Sequence, residues 1–242
     1  MVKRILIAVA AAAMCLMLVA LGLVYTGAWQ LNHPSQPVRG VDVSHYQGQI
    51  DWPVLASQGL QFVFIKATEG SASLDERFAD NWAGAQAAGL RVGAYHFFSY
   101  DTPGSSQAEN FIAAVPPVGG MLPPVIDVEF YGDYFSEPME AERVLPELND
   151  MVEALTAHYG MRPILYVTEE SYDLYVEGHF ADCDLWIRST FRSPKVSDGR
   201  AWTFWQYADR AKLEGYEGAE TFIDMDVYRG SQAEFDAYPG RR

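Results

Sequence analysis

The sequence predicts an α/β fold: an irregular (β/α) barrel of the TIM type, with eight strands and fewer helices. Three observations carry this. Eight short apolar runs rich in Val, Ile and Phe recur beyond residue 38, as expected of strands buried on both faces. Helical patterns fall between the early runs and fade after the fifth, so helices are fewer than strands. An open doubly wound sheet is the structural alternative, but no glycine-rich phosphate loop follows the first run, which removes its nucleotide-binding form.

The chain opens with Lys3 and Arg4, followed by an uncharged stretch from Ile5 to Val24. Twenty residues of helix span about 30 Å, the thickness of a bilayer core. The two basic residues hold the N-terminus inside and send the remainder out. Residues 1–28 are therefore read as a signal anchor. A cleaved signal peptide is the alternative, because Thr26-Gly27-Ala28 offers a small-residue cleavage site. Residues 29–37, with Pro34 and Pro37, read as a linker. Residues 38–242 suit one large domain, expected as a monomer.

The expected strands are Gly40–Ser44, Phe62–Thr68, Arg91–Phe97, Val125–Glu129, Ile164–Val167, Asp184–Ile187, Thr203–Tyr207 and Thr221–Val227. Asp51 is placed to cap a short helix carrying Val54 and Leu55, which stops at Gly59. Glu76 to Ala88 forms a second, closed by Gly89. Ser105 or Ser106 caps a third, which runs through Phe111 and Ile112 and stops at Pro116-Pro117. The longest runs from about Glu140 to Tyr159 and is closed by Gly160, with Pro146 near its start or at a kink. Tyr172 to Val176 suits one short helix, and the segments before the last two strands read as loops.

The formal net charge of −15 excludes a duplex nucleic-acid partner, which needs a positive field, and opposes electrostatic adhesion to anionic lipid. Cys15 lies in the apolar N-terminal run, so Cys183 has no partner for a disulfide within the domain. Its neighbours Asp182 and Asp184 disfavour the thiolate, against a nucleophilic role. The five histidines are scattered, and no metal or other cofactor is expected.

In barrel enzymes the active site lies where strands end and loops begin. The polar residues at the expected strand ends are Asp42 and Ser44, then Lys66, Thr68 and Glu69, then Tyr95 and His96. They continue with Asp127 and Glu129, Gln206 and Tyr207, and Asp224 and Asp226. The sharpest element is Val125-Ile126-Asp127-Val128-Glu129. Side chains two apart on a strand share a face, so Asp127 and Glu129 both point to the barrel mouth. Two close carboxyls repel, and the pKa of one rises. Glycoside cleavage needs this arrangement: one protonated acid for the leaving oxygen and one anion to support the positive sugar carbon. His96 is expected to be structural, and Lys66 to neutralise carboxylates. Tyr166 and Trp205 are further candidate sugar contacts, although Trp205 suits a core better than a sugar platform. Tyr131, Tyr134 and Phe135 follow the fourth strand on a loop, where aromatics suit sugar faces.

Gly40-Val41-Asp42-Val43-Ser44-His45-Tyr46-Gln47-Gly48 resembles the opening signature of glycoside hydrolase family 25, the Chalaropsis-type lysozymes. Similar motifs follow in the same order. They are Asp51-Trp52, Phe64-Ile65-Lys66-Ala67-Thr68-Glu69-Gly70, Gly93-Ala94-Tyr95-His96-Phe97, Asp127-Val128-Glu129, Leu185-Trp186-Ile187, Trp205-Gln206-Tyr207 and Ile223-Asp224. The resemblance runs from about Val38 to Phe235. It implies a modified barrel and hydrolysis of the β-1,4 bond between N-acetylmuramic acid and N-acetylglucosamine in peptidoglycan glycan strands. By position it implies Glu129 as general acid, Asp127 as its charged neighbour, Asp42 and Asp224 as supporting carboxylates, and Tyr95 near the reacting sugar. Glu69, Lys66, Tyr166, Trp205, Gln206, Tyr131 and Asp226 complete the candidate substrate-binding set. Two departures stand out: Arg188-Ser189-Thr190 where the family usually carries a small residue and then an aromatic, and Asp226 where it often has Asn. The domain is expected outside the cytoplasm, either anchored facing the wall or periplasm, or secreted. A catalytically inactive glycan-binding barrel is the alternative. A zinc- or cysteine-dependent amidase or peptidase is a more distant one, because it lacks its motifs here.

Overall fold

The apolar runs become eight strands that close on one another in a computed structural model, which describes residues 2–239. Met1 and residues 240–242, the outer ends of the expected anchor and domain, lie outside the described residues. The strands are β1 (Arg39–Val43), β2 (Phe62–Glu69), β3 (Arg91–Phe97), β4 (Val125–Val128), β5 (Ile164–Val167), β6 (Asp184–Arg188), β7 (Phe204–Ala211) and β8 (Ile223–Tyr228). β1 to β7 run parallel in chain order, β8 is antiparallel to both β7 and β1, and the β1–β2 pairing completes the ring.

The reversal of β8 corrects one expectation. Asp224 was placed at the C-terminal end of a parallel strand. It lies instead at the start of a reversed one, opposite Asp42 in the register. The reversal carries it to the same mouth by the opposite route. Asp226, two residues further on, pairs with Gly40 and is drawn below the mouth. β7 also runs four residues beyond the expected end, and its register with β8 slips twice.

Both faces of the ring are apolar. Outside, Val41, Val63, Ile65, Ile126, Leu165 and Trp205 pack under the helices. Inside, Phe62, Phe64, Tyr166, Trp186 and Phe204 fill the lumen, with Phe64 stacked on Trp186 at 4.4 Å. Gly40 makes room for this filling, because a Cβ there would lie 2.4 Å from the Phe62 ring.

The longer helices fall early in the chain, as the patterns imply, and a short one follows the last strand. They are α1 (Val2–Tyr25), α2 (Trp52–Ala56), α3 (Phe78–Ala87), α4 (Gly104–Ala114), α5 (Ala141–Tyr159) and α6 (Gln232–Ala237). The Asp51 carboxylate accepts from Val54 N, and Gly160 closes α5 in the left-handed region. Pro146 sits inside α5. The expected serine cap of α4 is absent: Pro103 stands at that position, and the Glu147 carboxylate of α5 accepts from Gly104 N at 2.7 Å instead. Tyr172–Val176 forms a π-helical turn after a short helical turn at Glu169–Ser171. α6 was not anticipated, although its capping box, Ser231 with Glu234, stands in the sequence. It plugs the closed end of the barrel with Phe235 and Tyr238, whose carbonyls accept from the Arg91 guanidinium. α1 is an exposed apolar helix of 24 residues, long enough at about 36 Å to cross a bilayer.

Candidate active site

A cavity of about 290 Å³ opens at the mouth and is lined by Asp42, Lys66, Tyr95, Asp127, Glu129, Asp209, Glu220 and Asp224, among others. Each strand delivers its group by the same rule. The inward set of β4, Val125 and then Asp127, climbs from the core to the mouth, and Glu129 stands just past the strand end. Gly40 and Asp42 do the same on β1, and Phe62, Phe64 and Lys66 on β2. Among the lining residues, six carboxylates face a single lysine.

Asp127 is nearly closed to solvent, and its Oδ1 has no hydrogen-bond partner among the described residues. Burial, then the charge of Glu129, lifts its carboxyl well above the usual range, with Lys66 opposing. Burial also raises Glu129, while Arg188 and Lys66 pull it down. The two act as one pair that holds a proton at pH values where exposed carboxyls have lost theirs. Asp127 is the more deeply buried of the two, and the shared proton belongs to the pair rather than to either carboxyl. Glu129 stands further toward the opening.

Beneath the lining lies a supporting layer. Tyr166 donates its hydroxyl to Gln206 Oε1 at 2.9 Å, and Gln206 Nε2 donates to Asp42 Oδ2 at 2.7 Å and to Asp224 Oδ2 at 3.3 Å. Tyr166 and Gln206 are thus buried holders of the carboxylates. Asp226 is fully buried, and its Oδ1 accepts from the Trp186 indole N–H at 2.7 Å. Burial and then Asp226 push Asp42 well above its ordinary pKa, and burial does the same to Asp226. Asp224 is raised by burial and by Asp42.

Other candidates are placed elsewhere. Trp205 faces outward, its indole N–H on Ser189 O, because it neighbours Gln206 and adjacent strand residues take opposite faces. Glu69 is paired with Lys66 at 2.7 Å and lines a second hollow beside the first, with His45 and Asp75. Tyr131 stacks on Tyr100 and accepts from Tyr100 N, while Tyr134 donates to Asp101; both belong to a loop cluster beside the cavity. Phe135 is exposed.

His96 is structural in its geometry. Nε2–H donates to Gln107 Oε1, Nδ1 accepts from Thr68 Oγ1, and burial lowers its pKa to about 4. Cys183 is buried and free, and burial, then Asp182, pushes its thiol up to about 12. Three lining residues were missed. Asp209 lies in the stretch where the β7–β8 register slips, and it binds Arg188 at 2.8 Å. Glu220 and Phe222 come from the loop before β8.

Buried carboxyls of raised pKa carry a stability consequence. The folded site binds more protons than the unfolded chain from the raised pKa values of these carboxyls down to about pH 4, so their contribution to stability grows as pH falls toward that value. His96, with its lowered pKa, has the opposite sign and loses stability as pH falls from about 6.5 toward 4. Asp226→Asn keeps the Trp186 hydrogen bond and offers Asp42 a donor. Relief of a like-charged buried contact should stabilise by about 1–3 kcal/mol at pH 7.5. Thermal unfolding should show a Tm raised by several degrees at pH 7.5 and by much less at pH 4.5. An unchanged or lowered Tm at pH 7.5 would show that the Asp42–Asp226 contact is not strained.

A closed eight-strand barrel with paired carboxyls at its mouth defines a glycosidase class of enzyme. The model of the family described as "Glycosyl hydrolases family 25" matches residues 41–216, and the chain belongs to that family. A family 25 glycosyl hydrolase from Bacillus anthracis is 51 % identical, with a TM-score of 0.82 over 86 % of this chain and 96 % of its own. A lysozyme from Streptomyces coelicolor is 30 % identical, with a TM-score of 0.76 over 84 % of this chain and 97 % of its own. Lysozyme M1 of Streptomyces globisporus is 31 % identical over 81 % of this chain and 69 % of its own length.

Proposed function

We propose that this protein is an exported muramidase that cuts the β-1,4 bond between N-acetylmuramic acid and N-acetylglucosamine in peptidoglycan. The observation that carries this reading is the Asp127–Glu129 pair at the mouth of the barrel, Asp127 buried and Glu129 half-buried, where burial raises the proton affinity of both carboxyls. Lysozyme relatives of the same fold support the substrate.

Glu129, nearer the opening, delivers the proton to the leaving glycosidic oxygen. Asp127, ionised in the complex, supports the positive charge at the sugar carbon or the N-acetyl group beside it. Asp42 and Asp224, held by Gln206, orient the sugar, and Tyr95 borders it. A second arrangement is favoured by the depth of Asp127: the proton stays on Asp127 in the complex, and Glu129 is the anion. Substitutions distinguish the two, as set out below.

Residues 1–28 serve as the membrane anchor, 29–37 join it to the domain, and 38–242 form the catalytic unit, which works as a monomer on the wall side of the membrane. The full chain in detergent, added to purified cell walls, should clear the suspension and create new reducing ends without new amino termini. New amino termini without reducing ends would identify an amidase or peptidase, and binding without clearing would identify an inactive glycan-binding barrel.

A further inference from the structure

The stretch after α1 is not a free tether. Asn32 Nδ2 donates to Thr190 O at 2.7 Å and to Tyr207 O at 3.0 Å, and Gln30 Nε2 donates to Arg210 O at 2.9 Å. The Arg210 guanidinium lies over the rings of Tyr25 and Phe222, at 4.7 and 4.3 Å, and its Nε donates to Tyr25 O at 2.8 Å. Gly27, at φ +71°, sits so close that a Cβ would lie 2.2 Å from Arg210 O. These contacts fall at the mouth end of the barrel. Thr190 follows the end of β6, Arg210 is in the outer half of β7, and Phe222 lines the catalytic cavity. From Asn32 the chain descends the flank to Val38, which is buried at the closed end and accepts from Tyr228 N at 3.0 Å. Gln61 Nε2 binds Pro37 O on the way, at 3.4 Å.

A flexible linker of the eight residues 30–37 would wander over about 16 Å and let the domain turn freely under its anchor. Pinned at both ends, this one cannot. The rim around the pinned end also carries exposed apolar side chains: Tyr25, Trp29, Leu31 and Phe191, the last 82 % exposed. Aromatic side chains at the end of an apolar helix suit the headgroup boundary of a bilayer. This grip is apolar, as it must be in a chain of net charge −15 that anionic lipid would repel.

We propose that residues 25–38 form a strap that turns the catalytic mouth toward the bilayer, so that the enzyme cuts polysaccharide lying at the membrane surface, such as glycan chains still held there by a lipid end. The proposal rests on the reading that α1 stays in the membrane. Its test uses the full chain in phosphatidylcholine vesicles, with an intact N-terminus and with Cys15→Ser, so that the introduced cysteine is the exposed labelling site while Cys183 stays buried. A fluorophore is placed on Phe191→Cys at the mouth or on Gly119→Cys at the closed end, about 20 Å apart, the length of a six-residue strand. Lipids bearing a headgroup nitroxide should quench the Phe191 label strongly and leave the Gly119 label bright. In the Gln30→Ala/Asn32→Ala variant the difference should collapse, while hydrolysis of soluble glycan is unchanged. On lipid-tethered glycan in the same vesicles, the wild type should leave short lipid-bound stubs and the variant longer, more scattered ones. Equal quenching of the two labels in the wild type would overturn the proposal, as would a quenching difference that survives the double substitution. Recovery from cells of a mature form lacking α1 would remove the anchor and the proposal with it. Quenching confined to the Phe191 label, in a protein that cuts no glycan, would support the orientation and count against the muramidase reading alone.

Discussion

Glu129→Gln should lower turnover on peptidoglycan by about 10²–10⁴, the usual contribution of a general acid, while folding and glycan binding survive. Glutamine preserves shape and hydrogen bonding but delivers no proton. Glu129 stands past the end of β4 at the cavity opening, with its side chain contributing to no core packing, so the loss should appear in kcat and leave KM little changed. The wild-type pH–rate profile should be bell-shaped. Its basic limb reports the proton held by the pair and should lie above the ordinary carboxylate range, because burial and mutual repulsion raise it. In Glu129→Gln that limb should disappear from the residual activity. Retention of more than about a tenth of wild-type turnover would be too much for a lost general acid. Asp127, the deeper of the two carboxyls, would then take the role.

Asp127→Asn should cost about 10²–10³ in kcat, the range seen when one preorganised stabilising group is removed. Its effect on pH separates it from Glu129→Gln. With no charge two residues away, Glu129 loses its repulsive neighbour and keeps Arg188 and Lys66, both of which favour its anion. Its pKa should fall, and the basic limb should move to lower pH. A basic limb that stays in place while kcat falls would show that the proton was never shared. If Asp127→Asn silenced the enzyme and Glu129→Gln did not, the two carboxyls would exchange roles.

Much of this site was legible because one rule, the alternation of strand side chains, acts over a few residues. It placed Asp127 with Glu129 on one face and Lys66 and Asp42 at their strand ends, and the cavity gathers all four. The same rule, applied consistently, would have sent Trp205 outward once Gln206 faced in. Other features depend on contacts distant in sequence. The direction of β8 is not written within its six residues, although a sign of it existed. A parallel return needs a crossover of a dozen or more residues, usually helical, and residues 212–222 are eleven without a helical pattern. Asp209 escaped notice because the register slips bring it to the mouth against strict alternation. The strap was read as a linker from its prolines, since hydrogen bonds from Gln30 and Asn32 to carbonyls more than 150 residues away leave no local pattern.

The identity of the bond cut is the most direct test of the central claim. Purified peptidoglycan should be digested with the full chain, the products reduced with borohydride, and the released fragments sequenced by mass spectrometry. Disaccharide fragments should end in reduced N-acetylmuramic acid with stem peptides intact, and Glu129→Gln should release almost none. Fragments ending in reduced N-acetylglucosamine, or free stem peptides beside uncut glycan, would contradict the account.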